Sequence, residues 1–205
     1  MSRPSRLSYA YASGRLFPCY LRLAARPPAG LDALPGYLST DEGLCLHWLA
    51  GQVPPGGVAL EIGSFKGKSS SYLASGLRAP GARLACVDVW ENRAMPYDPP
   101  EDVLPEFLRN VAPYRDRIDV HRGLSGEVAA RWPALLDLVF IDGDHSYEGC
   151  LADIDAWLPH ARRGAWIAFH DTGQEGVARA LRERFPREVR SIGAQAGSIF
   201  AARKR

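Results

Sequence analysis

The chain has 205 residues, 46% of them hydrophobic, and a formal net charge of +2, which suits one α/β domain and gives no overall steer towards nucleic acid. No apolar run is long enough to span a bilayer, and Met1 to Gly30 lack the continuous apolar core of a secretory leader, so a cytoplasmic protein is expected. The four cysteines (Cys19, Cys45, Cys86 and Cys150) are scattered without a C-x-x-C pair and read as reduced packing residues rather than zinc ligands.

Arg3, Arg6, Arg15, Arg22 and Arg26 precede the first acid, Asp32, with Tyr9, Tyr11, Phe17 and Tyr20 interleaved. Such an arm can touch RNA, a membrane surface or an anionic substrate. Yet 22 of the 25 basic residues of the chain are arginine, so the arm shares a general composition. The expectation is an ordered cap or a homo-oligomer arm over residues 1–38, with nucleic-acid binding the minor alternative. Ser39 or Thr40 can cap the next helix, with Asp41 and Glu42 in its first turn. Leu44, His47, Trp48 and Leu49 make its apolar side, and His47 reads as a packed helix residue rather than a ligand.

Val58 to Ile62 is a short apolar strand with one acid, Glu61, near its end. Gly63 and Gly67 bracket a turn, and a helix continues from Ser69 with Leu73 and Leu77 one turn apart. A glycine turn between strand and helix lets the backbone approach a ligand and aims the helix N-terminus at it. Gly63 and Gly67 enclose three residues where a P-loop needs four, and the close first glycine pair of a dinucleotide fingerprint is missing. Glu61-Ile62-Gly63-Ser64-Phe65-Lys66-Gly67 resembles the S-adenosylmethionine (SAM) loop of class I methyltransferases. That resemblance implies cofactor contacts from Glu61, Gly63, Ser64, Lys66, Gly67 and Ser69.

Arg83 to Val89 reads as a second buried strand, with Asp88 near its end, 27 residues after Glu61. A carboxylate there can accept from both ribose hydroxyls of a nucleoside, so Asp88, Val89 and Trp90 join the cofactor candidates. Residues 92–105 are rich in proline and acids and read as part of a substrate lid. A helix over Phe107 to Tyr114 and a strand over Ile118 to Arg122 follow. Gly123, Leu124 and Ser125 would then lie near the adenine, and Glu127 to Leu136 is expected as a helix with Trp132 and Leu135 inward.

Leu138 to Asp142 is a continuous apolar run, as a central parallel strand should be. A helix from Cys150 to His160 follows, with Asp153 and Asp155 expected towards solvent. Arg163-Gly164 is expected as a turn, Ala165 to Phe169 as the fifth strand and Val177 to Phe185 as a helix. Glu188 to Ile192 and Ser198 to Ala202 close the chain as a hairpin, implying an antiparallel edge strand. The fold class expected is α/β, a doubly wound, mostly parallel seven-stranded sheet, spanning 39–205.

In open α/β sheets ligands bind beyond the carboxyl ends of the strands. Asp142 and His170-Asp171 end neighbouring strands there and bring two carboxylates and an imidazole together, a cluster that a divalent cation would relieve of its repulsion. Oxygen ligands suit Mg²⁺, while an imidazole shifts preference towards Mn²⁺, Fe²⁺ or Zn²⁺. The segments FIDGDHSYEG and GAWIAFHDT resemble the small bacterial SAM-dependent O-methyltransferases of the macrocin O-methyltransferase type, over roughly Gly36 onwards. The resemblance implies the Rossmann-like methyltransferase fold, a hydroxylated small-molecule acceptor such as a sugar or polyketide, and a metal (Mg or Mn) on Asp142, residue 170 and Asp171. His170 stands where that family has Asp or Glu. The family's general base falls on Asp144 or His145, with His145 better suited near neutral pH. The alternatives are an RNA or protein methyltransferase using the basic arm, and a catalytically silent SAM-binding domain. A P-loop nucleotide hydrolase is the weakest.

Overall fold

The structure is a computed structural model that describes residues 28–91 and 101–205. The expectations for the basic arm, up to Arg26, and for most of the 92–105 lid therefore lie outside the described residues. A 3-10 turn over Leu31–Ala33 leads to helix α1, Thr40–Ala50. A capping box starts α1: Glu42 N–H bonds to the Ser39 hydroxyl, and Ser39 N–H donates to the Glu42 carboxylate. The elements that follow are β1 Val58–Ile62, α2 Lys68–Gly76, β2 Arg83–Asp88, α3 Leu104–Asn110, β3 Ile118–Arg122 and α4 Ser125–Ala129. After them come β4 Leu136–Ile141, α5 Tyr147–Trp157, β5 Ala161–Phe169, α6 Glu175–Glu188, β6 Val189–Ala196 and β7 Ile199–Lys204.

The seven strands form one sheet in the order β3-β2-β1-β4-β5-β7-β6. β1 to β5 pair in parallel, and β7 is antiparallel to both β5 and β6. Side chains on the central strands alternate between two cores. Leu84, Cys86, Leu138, Phe140, Trp166 and Ala168 pack on the α1–α2 face, while Ala85, Val87, Val139, Ile141, Ile167 and Phe169 pack on the α5–α6 face. Both faces are covered, so these strands are largely apolar and carry no polar side to mark an orientation. The doubly wound, seven-stranded expectation holds.

The C-terminal hairpin brings the expected antiparallel pairing: β7 inserts between β5 and β6, antiparallel to both, and β6 is the edge. Several local expectations do not hold. The predicted turn at Arg163-Gly164 lies inside β5, where Gly164 at φ +82° accompanies a register shift against β4. The helix expected over Glu127 to Leu136 stops at Ala129, and Leu135 is exposed rather than inward. Pro133 explains the stop, since proline and its preceding residue resist helix. Asp153, expected in solvent, is buried on the inner face of α5 between Cys150 and Trp157. No helix of the described residues is long and apolar enough to cross a membrane.

Candidate active site

Four backbone hydrogen bonds tie the carboxyl ends of five strands into one row. Gly123 N–H donates to Asp88 O at 2.9 Å, Gly63 N–H to Val87 O at 2.9 Å, Asp142 N–H to Ile62 O at 2.9 Å, and His170 N–H to Ile141 O at 3.1 Å. The residues singled out from the sequence thus stand side by side along one rim. Gly63, at φ +83°, lies so close to β4 that an added Cβ would sit 2.0 Å from Asp142 O. Only glycine fits there, and the loop is held against the end of β4 as a result. Gly67, at φ +86°, caps the start of α2.

The loop's side chains divide between rim and interior. Glu61 has no exposed surface; its Oε2 accepts from the Ser64 hydroxyl at 2.7 Å and from the Ser70 hydroxyl. Burial pushes its carboxyl up to about 7, and the Ser69, Ser70 and Ser64 hydroxyls oppose the shift. The side chains of Glu61, Ser64 and Ser69 accordingly brace the loop from below. Lys66 turns towards α3, with Nζ 3.4 Å from Glu106.

Asp88 occupies the end of β2 as expected. Its Oδ2 accepts from Phe65 N–H at 2.8 Å and its Oδ1 from Trp90 N–H at 2.6 Å. Phe65 (φ +43°) and Trp90 (φ +52°) both hold left-handed backbone to point those N–H groups at it. Burial raises the Asp88 carboxyl, and the hydrogen bonds from Phe65 and Trp90 work against the rise. Each oxygen keeps a lone pair for a hydroxyl donor. The Trp90 ring itself is buried against Phe107, so its contribution to the rim is its backbone alone. Val89 O accepts from Arg122 Nε at 3.1 Å. At the end of β3, Leu124 is exposed and offers an apolar ledge. The Ser125 hydroxyl instead donates to Asp153 Oδ1 at 2.5 Å and accepts from Trp157 Nε1 at 2.8 Å, which turns it away from the rim.

Opposite the loop, β4 and β5 bring four titratable groups together. Asp142 Oδ1 lies 3.0 Å from His170 Nδ1 and 3.5 Å from His145 Nε2. Asp171 Oδ2 lies 3.3 Å from His145 Nε2 and 3.5 Å from His170 Nδ1. Asp171 sits at φ +50°, a further left-handed residue on this rim. One ligand atom from each of Asp142, His170 and Asp171 falls within 4.8 Å of the others, the spacing a metal ion would need. The hydrogen bond to Asp142 raises His145, against the pull of burial. For His170, burial pulls the imidazole down, but the carboxylates of Asp142, Asp171 and Glu42 outweigh it and push it up to about 12. Asp144 does not join the cluster: its Oδ1 accepts from Ser146 N–H at 2.8 Å at the start of α5.

In the sequence Glu42 reads only as a helix-start acid. It is buried, and its Oε2 lies 3.5 Å from His170 Nε2. Burial raises its carboxyl, yet the His170 imidazole beside it and the hydrogen bonds from Ser39 and Ser198 prevail and hold it well below the usual range. The Ser39-x-x-Glu42 spacing announced the cap but not the second duty. Asp153 was foreseeable, since its position between Cys150 and Trp157 follows the helical period of the inner face.

A doubly wound sheet of this strand order, with a glycine loop after β1 and acids ending β2 and β4, is the class I methyltransferase arrangement. The family model described as "Methyltransferase domain" matches residues 60–172, just over half of the chain, and the protein belongs to that family. Among solved structures, the O-methyltransferase TomG from Streptomyces achromogenes, in complex with SAM, superposes with a TM-score of 0.66 at 20% identity, covering 92% of this chain and 96% of that one. Cofactor-bound Rv0187 from MTB gives 0.61 at 24% identity, covering 100% and 98%. TrmN from Thermus thermophilus gives 0.62 at 20% identity; the chain covers 55% of it, with 89% of this chain aligned.

Proposed function

We propose that the protein transfers a methyl group from SAM to a hydroxyl oxygen of a small molecule. One observation carries this reading: His145, held by Asp142 and Asp171, stands on the same strand-end row as the glycine loop and Asp88. Support for an oxygen acceptor also comes from TomG, an O-methyltransferase of tomaymycin synthesis with the same fold.

The chain's own residues would act as follows. Asp88 accepts the two ribose hydroxyls, the backbone of Gly63 to Gly67 admits the methionine end, and Leu124 lies against the adenine. His145 takes the acceptor's hydroxyl proton as the oxygen attacks, and the two aspartates steady the imidazolium that results. Bound SAM supplies a methyl already activated on sulfur, so the C–S bond breaks as the O–C bond forms and S-adenosylhomocysteine leaves. Catalysis otherwise rests on position. Of the two candidate bases, His145 is favoured, because the Asp144 carboxylate serves the turn into α5.

The Asp142–His170–Asp171 cluster fits a divalent ion of the Mg or Mn kind, with Nε2 of His170 turned to Glu42 and Nδ1 towards the aspartates. Such an ion would lower the pKa of the acceptor hydroxyl. The alternative of an RNA or protein acceptor, like the homo-oligomer arm, rested on residues that lie outside the described ones.

Thermal-shift measurements with SAM, S-adenosylhomocysteine, NAD and ATP, each with and without EDTA, test the reading. A shift with SAM and S-adenosylhomocysteine is expected; stabilisation by ATP alone would sink it.

A further inference from the structure

The carboxylate of Glu42 gathers groups from three parts of the chain, two of them distant. Its Oε2 accepts from Ser39 N–H at 2.9 Å and from the Ser39 hydroxyl at 2.8 Å. Its Oε1 accepts from Ser198 N–H at 2.7 Å and from the Ser198 hydroxyl at 2.8 Å. A helix cap needs only the first pair. On its other side Oε2 lies 3.5 Å from His170 Nε2, a buried nitrogen with no hydrogen-bond partner among the described residues. At that distance the pair is Coulombic rather than a tight hydrogen bond.

Ser198 extends the reach of Glu42. The Ser198 hydroxyl accepts from Asp171 N–H at 3.3 Å, and its carbonyl accepts from Thr172 N–H at 3.1 Å and from the Thr172 hydroxyl at 2.7 Å. These bonds hold the segment in which Asp171 keeps its left-handed backbone. Gly197, at φ +53°, brings the turn so close that an added Cβ would lie 2.4 Å from Glu42 Oε1. Two consecutive residues of the reaction centre are thus fixed by one carboxylate, His170 through its ring and Asp171 through Ser198.

We propose that Glu42, acting with Ser198, is the positioning residue of this active site: it sets the ring of His170 and the backbone of Asp171, and thereby the carboxylate that orients His145. Glu42 touches neither the acceptor nor the reacting atoms. Its effect passes through side chains already placed, so the inference rests on the methyl-transfer reading only where turnover is measured. Its physical basis is that a buried carboxylate facing the far nitrogen of an imidazole fixes which nitrogen is presented to the site, and losing such a partner typically costs 10- to 100-fold in affinity or activity.

The test compares Glu42→Gln, Ser198→Ala and Ser39→Ala with the parent chain. Imidazole ¹⁵N NMR reads the two site histidines without any substrate. Glu42→Gln should shift the ring signals of His170 and His145, and Ser198→Ala should shift those of His145; Ser39→Ala should lower Tm and leave both sets in place. Once an acceptor is in hand, Glu42→Gln should lower kcat by about 10- to 100-fold with KM for SAM within about twofold, and move the pH profile of kcat. Should Glu42→Gln fail to fold, Ser198→Ala decides, since it keeps the capping box and the Ser198 N–H bond. Unchanged ring signals in a folded Glu42→Gln or Ser198→Ala protein would overturn the proposal. An absence of SAM binding in the parent would instead remove the methyl-transfer reading and leave the NMR result standing.

Discussion

Asp142 and His170 meet at 3.0 Å, Oδ1 to Nδ1, across the seam between β4 and β5. The same Asp142 oxygen is 3.5 Å from His145. One carboxylate thus faces two imidazoles with different duties: His170 is buried and fixed, while His145 is half-buried and reachable. Replacing His145 by Ala should leave SAM binding intact and lower the methyl-transfer rate roughly 10²- to 10⁴-fold, the usual cost of a positioned base. Steady-state kinetics beside a SAM-binding isotherm check this. An equal loss of SAM affinity would refute the role.

Asp88 should behave in the opposite way. Asp88→Ala removes the proposed ribose acceptor and also frees Phe65 and Trp90 from the bonds that hold their left-handed turns. The expected result is loss of the SAM thermal shift, with a modest fall in the Tm of the cofactor-free protein. Differential scanning fluorimetry at a range of SAM concentrations measures both.

Gly63→Ala should be among the most damaging single changes in the loop. The new Cβ would lie 2.0 Å from Asp142 O, at a φ of +83° that side chains rarely adopt. Overpacking costs about 1–3 kcal/mol, and the left-handed backbone about 1–2 kcal/mol more. Chemical denaturation of the cofactor-free protein would show the loss.

The stability of the protein without metal or cofactor should peak in mild acid. Glu42 and Asp171 have carboxyls held low, so their contribution is present above their unfolded values and is lost as pH falls through and below about 4.5. Glu61 is raised to about 7, so its protonated form suits the fold and stability falls as pH climbs from 4.5 towards 7. His170 is raised to about 12, so its contribution is full below 6.5 and declines above it. Calorimetric Tm measured from about pH 3 to 9 should therefore be highest near about 4.5 and fall on either side. Glu61→Gln should flatten the limb between 4.5 and 7.

A divalent ion, where it binds, should compete with the proton on His170. Titration calorimetry with Mn²⁺ should show binding that strengthens with pH and disappears in Asp142→Asn, and EDTA should reverse the accompanying rise in Tm. Affinity independent of pH would argue that His170 is not among the ligands.

The central strands were legible in the sequence because a parallel sheet covered on both faces is largely apolar, and β1, β2 and β4 stand within a few residues of their predicted places. Glycine spacing and the acid ending β2 likewise pointed to the rim where Gly63 and Asp88 now stand. Whether the loop's polar side chains would face outward was not legible. Ser64 and Ser69 have ordinary sequence neighbours, and only the buried Glu61 beneath them draws their hydroxyls inward. Gly164 misled because a bulge and a turn use the same glycine. Glu42 was out of reach for a different reason: its partners lie 128 and 156 residues away, and no local pattern records a contact at that distance.

That separation bears on how the protein comes to life. The Glu42–Ser198 clasp joins α1 to the β6–β7 hairpin, so the reaction centre cannot be completed until the turn of that hairpin has been synthesised. His170 and Asp171 would leave the ribosome well before the turn that fastens them.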